Sequence, residues 1–583
     1  MNDEYRRRLA ARQEAAIRHD AQFRNLGNYR LGVVALGGVL AWYFIWTLPL
    51  AVAAFTGLII WHERVAKRAA IDARAIRLYT QGLARLEGKW PGNGESGSRF
   101  QSPHHPYAGD LDIFGDGSVF QLINCARTIT GEETLAQWLL SPSKMDETVL
   151  RHQAVQELSS RLDLREDLAL LGDDVRAQLH AKALLSWGAA PPEMATAMPR
   201  WIAGGLSGGL LVSFLLFMLQ VTPLWPVLLF LLGELVFFTL MRQPLGRILE
   251  AMEVPGRDLG VLSALMRRLE TETFSSALLR ALLARMQTKG RPASEQIALL
   301  RRLIEFRDQA RNQMFAIVVE PLLWSMHFGF AIEQWRQLTG PHLGDWLAAV
   351  GELEALASLA QYASEHPDDV YPELREDGPV FEGDGVAHPL LGTAGIQNDV
   401  RLDGTMQLLL VSGSNMSGKS TLMRAVGLNA VLAWAGAPVR ARRLSISRLS
   451  VGASMRVQDN LMEGASRFYA EITRLRQIVD MAGGQPTLLF LLDELLSGTN
   501  SHDRLIGSEA VVRTLVARGA IGLVSTHDLA LAHIAEELAP LAANVHFQDH
   551  INNGSIAFDY RMRPGVVQKS NAIELMRSVG LEI

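Results

Sequence analysis

Nine consecutive residues have the types and spacing of a phosphate cradle: Gly413, Ser414, Asn415, Met416, Ser417, Gly418, Lys419, Ser420 and Thr421. The glycines bracket a loop whose backbone N–H groups can turn toward the β- and γ-phosphates of a nucleotide. Lys419 supplies a point charge, and Ser420 a hydroxyl for Mg²⁺. The setting matters as much as the pattern. The apolar run Leu408 to Val411 precedes the loop, and a helix-like segment from Leu422 to Leu432 follows it. Strand, loop and helix would then point the positive end of a helix dipole at the bound anion. The bland alternative is a glycine turn ahead of a helix, and the acids downstream weigh against it.

Those acids are Asp493 and Glu494, which end the apolar run Thr487 to Leu492. A buried parallel strand finishes this way at the carboxyl edge of its sheet. Asp493 is placed to hold Mg²⁺ together with Ser420. Glu494 is placed to orient and deprotonate an attacking water. A third run, Ile521 to Thr526, leads into His527 and Asp528. His527 is expected to sense the γ-phosphate; the alternative is that Thr526 or Asp528 merely caps the next helix. These elements predict a C-terminal α/β domain over 366–583 with a largely parallel sheet, in which ATP and Mg²⁺ are the cofactors.

The same residues resemble the ATPase domain of the MutS mismatch-repair family. The resemblance rests on Asn415 and Met416 in the loop, Asp493 with Glu494, Gly498 to Asn500, Ser525 to His527, and Asn544 to His546. The family loop usually reads G-P-N-M-G-G-K-S-T, and this chain has Ser414 and Ser417 at two of those positions. Gly464 to Glu471 looks like the family's signature segment, which implies that Ser466 reaches a nucleotide held by an opposing subunit. Upstream, His388 to Leu391 with Asn398 to Val400 is similar to the start of the family's ATPase domain. Leu353 to Ala360 resembles the end of its long helices, and Asp112 to Pro142 the start of its helical core. Coverage is about 108–180 and 250–583. The resemblance implies ATP hydrolysis, a homodimer closed through the ATPase domains, and double-stranded DNA as a partner. No Phe-x-Glu wedge is found among the first 107 residues, and the chain stops at Ile583, where relatives usually continue into dimerising helices. The expectation is an ATPase engine without a mismatch reader.

In the reader's place stand two apolar tracts. Leu31 to Trp46 and Leu50 to Trp61 flank Thr47, Leu48 and Pro49; Trp201 to Leu219 and Leu224 to Met241 flank Gln220 to Pro223. A spanning helix needs about 20 apolar residues, so the second tract reads clearly as a hairpin and the first is short in each half. Basic residues border both: Arg24, Arg30, Arg64, Lys67 and Arg68 on the first, Arg200, Arg242 and Arg247 on the second. That bias places both termini in the cytoplasm and predicts four spans in the cell (inner) membrane, with membrane lipid as a contact. A cleaved leader is the alternative for the first tract, and a buried helix pair for the second. Gly204, Gly205, Gly208 and Gly209 form overlapping G-x-x-x-G patterns, expected to admit the other half of the hairpin. Glu234 is an acid within the fourth span and a functional candidate for that reason alone.

Composition fits a mixed protein: 48% hydrophobic residues and a mean hydropathy of +0.10 are high for a soluble enzyme. The single Cys125 excludes a disulfide framework or a cysteine zinc site. A net charge of −5 exerts no global pull on nucleic acid. Local basic groups occur at Arg440, Arg442, Arg443 and Arg448, and on helix-like segments at Arg267, Arg268, Arg280, Arg285, Arg301 and Arg302. The expected layout is a basic tail (1–30), hairpin one (31–62), helix and linker (63–107), helical core (108–200), hairpin two (201–241), core and lever helices (242–365) and ATPase domain (366–583). A membrane-anchored, DNA-binding ATPase is the leading reading. The alternatives are an ATP-driven switch acting on membrane or protein partners, and an ABC-type transport subunit, which the absence of an L-S-G-G-Q segment disfavours.

Overall fold

The computed structural model describes residues 1–178, 181–192, 198–250, 259–288, 290–309, 319–414, 416–455, 467–527, 529–552 and 555–567. The chain divides into two compact units. One comprises Met1–Cys125, Thr134–Leu162 and Leu356–Ile583; the other comprises Ala126–Glu133 and Asp163–Ala355.

The first unit opens with two long antiparallel helices, Asn2–Tyr43 and Leu48–Leu86, joined by a 3-10 turn at Ile45–Thr47. Pro49 in the first turn of the second helix suits the start of a helix, where no N–H partner is needed. The boundaries expected at 30, 62 and 63 are not structural: each helix runs through them without a break. The reason lies in how the lower halves pack. Tyr5 packs against Tyr79 with the rings tilted and their centroids 5.6 Å apart, and Gly82 leaves room for the Tyr5 ring. Asp72 is buried between the arms, 2.6 Å from His19 Nδ1 and 3.3 Å from Arg12 Nη1. A helix ends where its packing ends, not where its hydropathy changes. At the foot, Tyr5 Oη and the Arg85 guanidinium donate to the Glu365 carboxylate at 2.8–3.1 Å. Toward the tip the apolar side chains face outward; Trp42 and Trp46 are 86% and 89% exposed.

The C-terminal part of this unit has two sheets. Strands in chain order are β3 (Glu373–Arg375), β4 (Phe381–Val386), β5 (Asn398–Leu402), β6 (Leu408–Ser412), β7 (Arg443–Ser447), β8 (Leu449–Ser454), β9 (Thr487–Asp493), β10 (Ile521–Thr526), β11 (Ala542–Asn552) and β12 (Ser555–Pro564), after a two-residue pair, β1 (Gln287–Thr288) and β2 (Arg291–Pro292), in the other unit. The larger sheet runs β12-β11-β6-β10-β9-β8; β8 to β11 and β6 are mutually parallel, and β12 returns antiparallel on β11. Its central strands β6, β9 and β10 read as nearly continuous apolar runs because both faces are covered. Leu408, Leu410, Phe490, Leu492 and Val524 pack under Ile478, Val512 and Leu515. The smaller sheet, β3-β7-β4-β5, is mixed.

The second unit is helical. Met198–Met218 and Trp225–Glu250 form the second hairpin, packed on Trp324–Thr339 through Ala203, Phe237, Met326 and Phe330. Of the four glycines, only Gly209 faces the opposite helix, where a Cβ would meet the Phe230 ring; Gly204, Gly205 and Gly208 face open space. Within the unit, Arg336 is buried against Glu333 at 2.7 Å and donates to the carbonyls of Trp187, Ala190 and Pro191.

Among the described residues, three helices are long and apolar enough to cross a membrane: Ile45–Leu86, Met198–Met218 and Trp225–Arg247. The expected fourth, the first arm of hairpin one, does not qualify. Arg30 leaves only Leu31 to Tyr43 free of charge, about 20 Å of helix against a ~30 Å hydrocarbon layer.

Candidate functional site

Strand β6 delivers the loop to the carboxyl edge of the sheet between β10 and β11. Gly413 (φ +148°) and Gly418 (φ +108°) take backbone conformations that L side chains rarely adopt. A Cβ on Gly413 would also come within 3.0 Å of the Phe547 carbonyl oxygen. Gly418 then caps the helix Lys419–Ala435, which carries Lys419, Ser420 and Thr421 in its first turn. Met416 stands out at 82% exposure. Asn415 and Ser466, both expected to contact nucleotide, lie outside the described residues.

Lys419 is buried, and its Nζ donates to the carbonyls of Gly413 (2.9 Å) and Ser414 (2.8 Å). Among the described residues, Ser414 Oγ and Ser417 Oγ are buried with no hydrogen-bond partner. Two orphaned hydroxyls, a buried ammonium and the N-terminus of a helix make a cradle short of acceptors. That donor set fits a phosphate chain.

Asp493 ends β9, and β10 lies beside it in parallel register, which sets Ser525 opposite Asp493. The Ser525 hydroxyl donates to Asp493 Oδ1 and accepts the backbone N–H of Glu494 at 3.2 Å. One fully buried serine thus joins both acids. Beyond the strand the chain turns sharply: Glu494 (φ +50°) and Leu496 (φ +55°) are both left-handed without being glycine. Such strain persists only where surrounding contacts impose it. Here the Glu471 carboxylate, buried on Arg467–Met481, accepts the Leu496 N–H at 2.5 Å. The turn aims Glu494 at His527, with Oε1 2.7 Å from Nε2. The same Nε2 is 3.5 Å from Lys419 Nζ. The loop lysine, the candidate base and the candidate sensor therefore meet at one place. A cavity beside them is lined by Glu494, Ser497, Arg504, Ser508 and Thr526.

Three contributors were not apparent from the sequence as chemistry. Ser525 and Glu471 act through register and through a turn. Tyr560 is the third. It lies on β12 at φ +53°, and its ring comes within 3.1 Å of the Cβ position of Gly418. Asn398 holds it there, donating to the Tyr560 carbonyl at 3.1 Å and accepting the Met562 N–H at 2.7 Å. The ring is 43% exposed beside the loop, a flat apolar face where a nucleobase could stack. Of the remaining motif residues, Asn500 caps Ser501–Ala517 by accepting the Asp503 N–H, and His388 caps a 3-10 turn. Burial, aided by Arg424, pushes the His388 imidazole down to about 4.

A family profile described as MutS domain V matches residues 409–582. The chain is 35% identical over 242 residues to a DNA mismatch repair protein MutS of Natronomonas pharaonis, a stretch covering 40% of this chain and 27% of that protein. It is 34% identical over 241 residues to proteins of the same name from Methanosarcina acetivorans and Methanosarcina mazei, covering 40% of this chain and 26% of each. The chain spans about a quarter of the length of these curated relatives. The region of likeness is the region that holds the loop, both acids and the histidine, and over that region the chain is related to the MutS family.

Proposed function

We propose that this chain is a membrane-anchored MutS-like ATPase. The observation that carries the reading is the convergence of Lys419, Glu494 and His527 beside an unsatisfied donor cradle. Lys419 would exchange the carbonyls of Gly413 and Ser414 for phosphate oxygens. Ser414 and Ser417 would donate to the same oxygens. Ser420 and Asp493 would hold Mg²⁺, whose charge offsets that of the phosphates. Glu494 takes the proton from the attacking water, and His527, on the other side of that carboxylate, reports whether the γ-phosphate is in place. Tyr560 stacks on the base. Two such domains would close on each other's nucleotide, Ser466 reaching across.

Anchoring is supported by the apolar surfaces of the three candidate spans, of which no more than 22% of any apolar window is buried. Large apolar patches left facing outward mark lipid or partner contact. Reporters at either terminus should read cytoplasmic, and reporters near Pro223 should read outside; recovery of the full chain in the soluble fraction without detergent would overturn the anchor.

The relatives' names point to DNA as the object of the ATPase. One observation favours the alternative, a switch acting on membrane or protein partners. Several of the local arginines are engaged in ion pairs. Arg440 pairs with Asp369 (2.6 Å), Arg442 with Asp399 (3.1 Å), Arg443 with Glu373 (3.2 Å), Arg268 with Asp167 (2.7 Å) and Arg285 with Glu352 (2.7 Å). Duplex binding by detergent-purified protein across a salt series decides between them. A steep loss of affinity with salt marks phosphate contacts, and absence of binding at low salt with ATPase activity intact would leave the switch.

A further inference from the structure

The second hairpin carries a carboxyl group that the nucleotide chemistry does not use. Glu234 lies midway along the apolar stretch Trp225–Arg247 and is 4% exposed. Both of its carboxyl oxygens are buried, and among the described residues neither meets a hydrogen-bond partner within bonding geometry. Its sequence neighbours Leu235 and Val236 face outward. An ionised carboxylate in that position would lose its hydration and gain no counter-charge, which is among the costliest arrangements a side chain can adopt.

What surrounds it is a set of groups short of one proton. On Met198–Met218 the Ser207 hydroxyl faces the carboxyl group and is itself buried. Its hydrogen goes to the Leu322 carbonyl at 3.0 Å. A hydroxyl that donates one way still has lone pairs to accept another donor. Nε2 of His327, on Trp324–Thr339, is 3.3 Å from the same oxygen. Burial and the positive charge of Arg200 push the His327 imidazole down from its usual range. Glu320, the acid on the turn that supplies Leu322, is engaged by the Ser325 hydroxyl. Among the described residues these are the titratable and charged groups that face the site from the packed elements, and none of them pairs a cation with Glu234. The turn is under constraint as well. Leu323, next in chain, is buried at φ +52°, a strained conformation for leucine, and is held by Ala203, Phe237, Met326 and Phe330.

We propose that Glu234 is a proton-binding site: it takes a proton from water and donates it in a hydrogen bond to Ser207 Oγ, which donates onward to the Leu322 carbonyl. The chain of bonds runs from the second hairpin through Ser207 to the turn ahead of Trp324–Thr339. It latches those helices together when the proton is present and releases them when it is lost. The step is a reversible protonation; no other bond forms or breaks. This reading shares the bilayer placement of the hairpin with the preceding section, but its test does not depend on it.

The test uses the full chain in detergent micelles. Dicyclohexylcarbodiimide, an apolar reagent that attacks protonated carboxyl groups, should modify Glu234 at pH 6 and do so several-fold less at pH 9, read by peptide mass spectrometry. The melting temperature should fall from pH 6 to pH 9 more steeply in the wild type than in Glu234→Gln, whose amide still donates to Ser207 and cannot lose its proton. Absence of an adduct at Glu234, with identical pH profiles for the two proteins, would overturn the proposal. Protection of Glu234 by sodium chloride but not choline chloride at constant pH would overturn it in favour of a sodium site. Carbonate extraction of the membrane fraction reports insertion separately: a protein released by carbonate yet labelled at Glu234 would remove the anchor and uphold the proton site.

Discussion

Ser525→Ala tests the geometry of the nucleotide site more sharply than removal of either acid. The substitution deletes one hydroxyl on a fully buried strand and leaves every side chain assigned to phosphate, metal or water in place. Two bonds go with it: the donation to Asp493 and the acceptance of the Glu494 N–H. A hydrogen bond to a charged group is worth about 1.5–3 kcal/mol. Glu494 is held in a left-handed conformation (φ +50°) that costs about 1–3 kcal/mol by itself. Without Ser525 that residue relaxes, and its carboxylate spends less time against His527. If the lost bond is felt mainly in the transition state, kcat falls about 10- to 150-fold, at 1.36 kcal/mol per decade. KM for ATP changes little, because the cradle around Lys419 is untouched. The assay is steady-state ATP hydrolysis beside fluorescent-nucleotide binding, with a melting curve to establish that the variant folds. A folded variant with kcat within threefold of wild type would refute the view that Ser525 holds the catalytic turn.

Lys419→Ala should abolish nucleotide binding, whereas Glu494→Gln should keep ATP bound and stop turnover; near-normal hydrolysis by the glutamine variant in a single-turnover assay would remove Glu494 as the base. Tyr560→Ala should weaken ATP and ADP binding alike, by the ~1–3 kcal/mol of a base–aromatic stack, and titration calorimetry showing unchanged affinity would place the base elsewhere. His388, held at about 4 by burial, binds its proton only on unfolding between its ordinary value of 6.5 and that pH. The unfolded state therefore takes up more protons as pH falls through this window, and stability declines, by at most about 3 kcal/mol. Melting curves from pH 7 to pH 4 should show that decline, shallower in His388→Gln.

The chemistry was legible in the sequence wherever it is contiguous. The loop 413–421 and the pair Asp493 and Glu494 sit on a strand–turn unit whose hydropathy marks it, and His527 ends a strand of the same kind. What escaped reading depends on partners far along the chain. Ser525 matters because β10 lies in register with β9. Tyr560 matters because β12 folds back and Asn398 pins it. The helices of the first hairpin extend beyond its apolar tract for a different reason. Charged residues at its lower half suggested a separate tail, whereas Asp72, Arg12 and His19 satisfy one another between the helices and carry the pair past the apolar limit. The glycines at 204, 205 and 208 match a packing pattern by spacing, but the helix turns them outward.

The foot of that hairpin has a mechanical consequence. Tyr5 and Arg85 grip Glu365, the last residue of Leu343–Glu365 and the one just ahead of the segment leading into β3. The first arm has 42 residues, about 63 Å of rod. A rod of that length pivoting about its clamped end converts angle into distance: about 5° of rotation at Glu365 sweeps the tryptophan-bearing tip through about 5 Å. Small rearrangements where the chain enters the C-terminal domain are thus magnified at the far end of the hairpin, and a pull on the tip returns to Glu365 with the leverage of the whole arm.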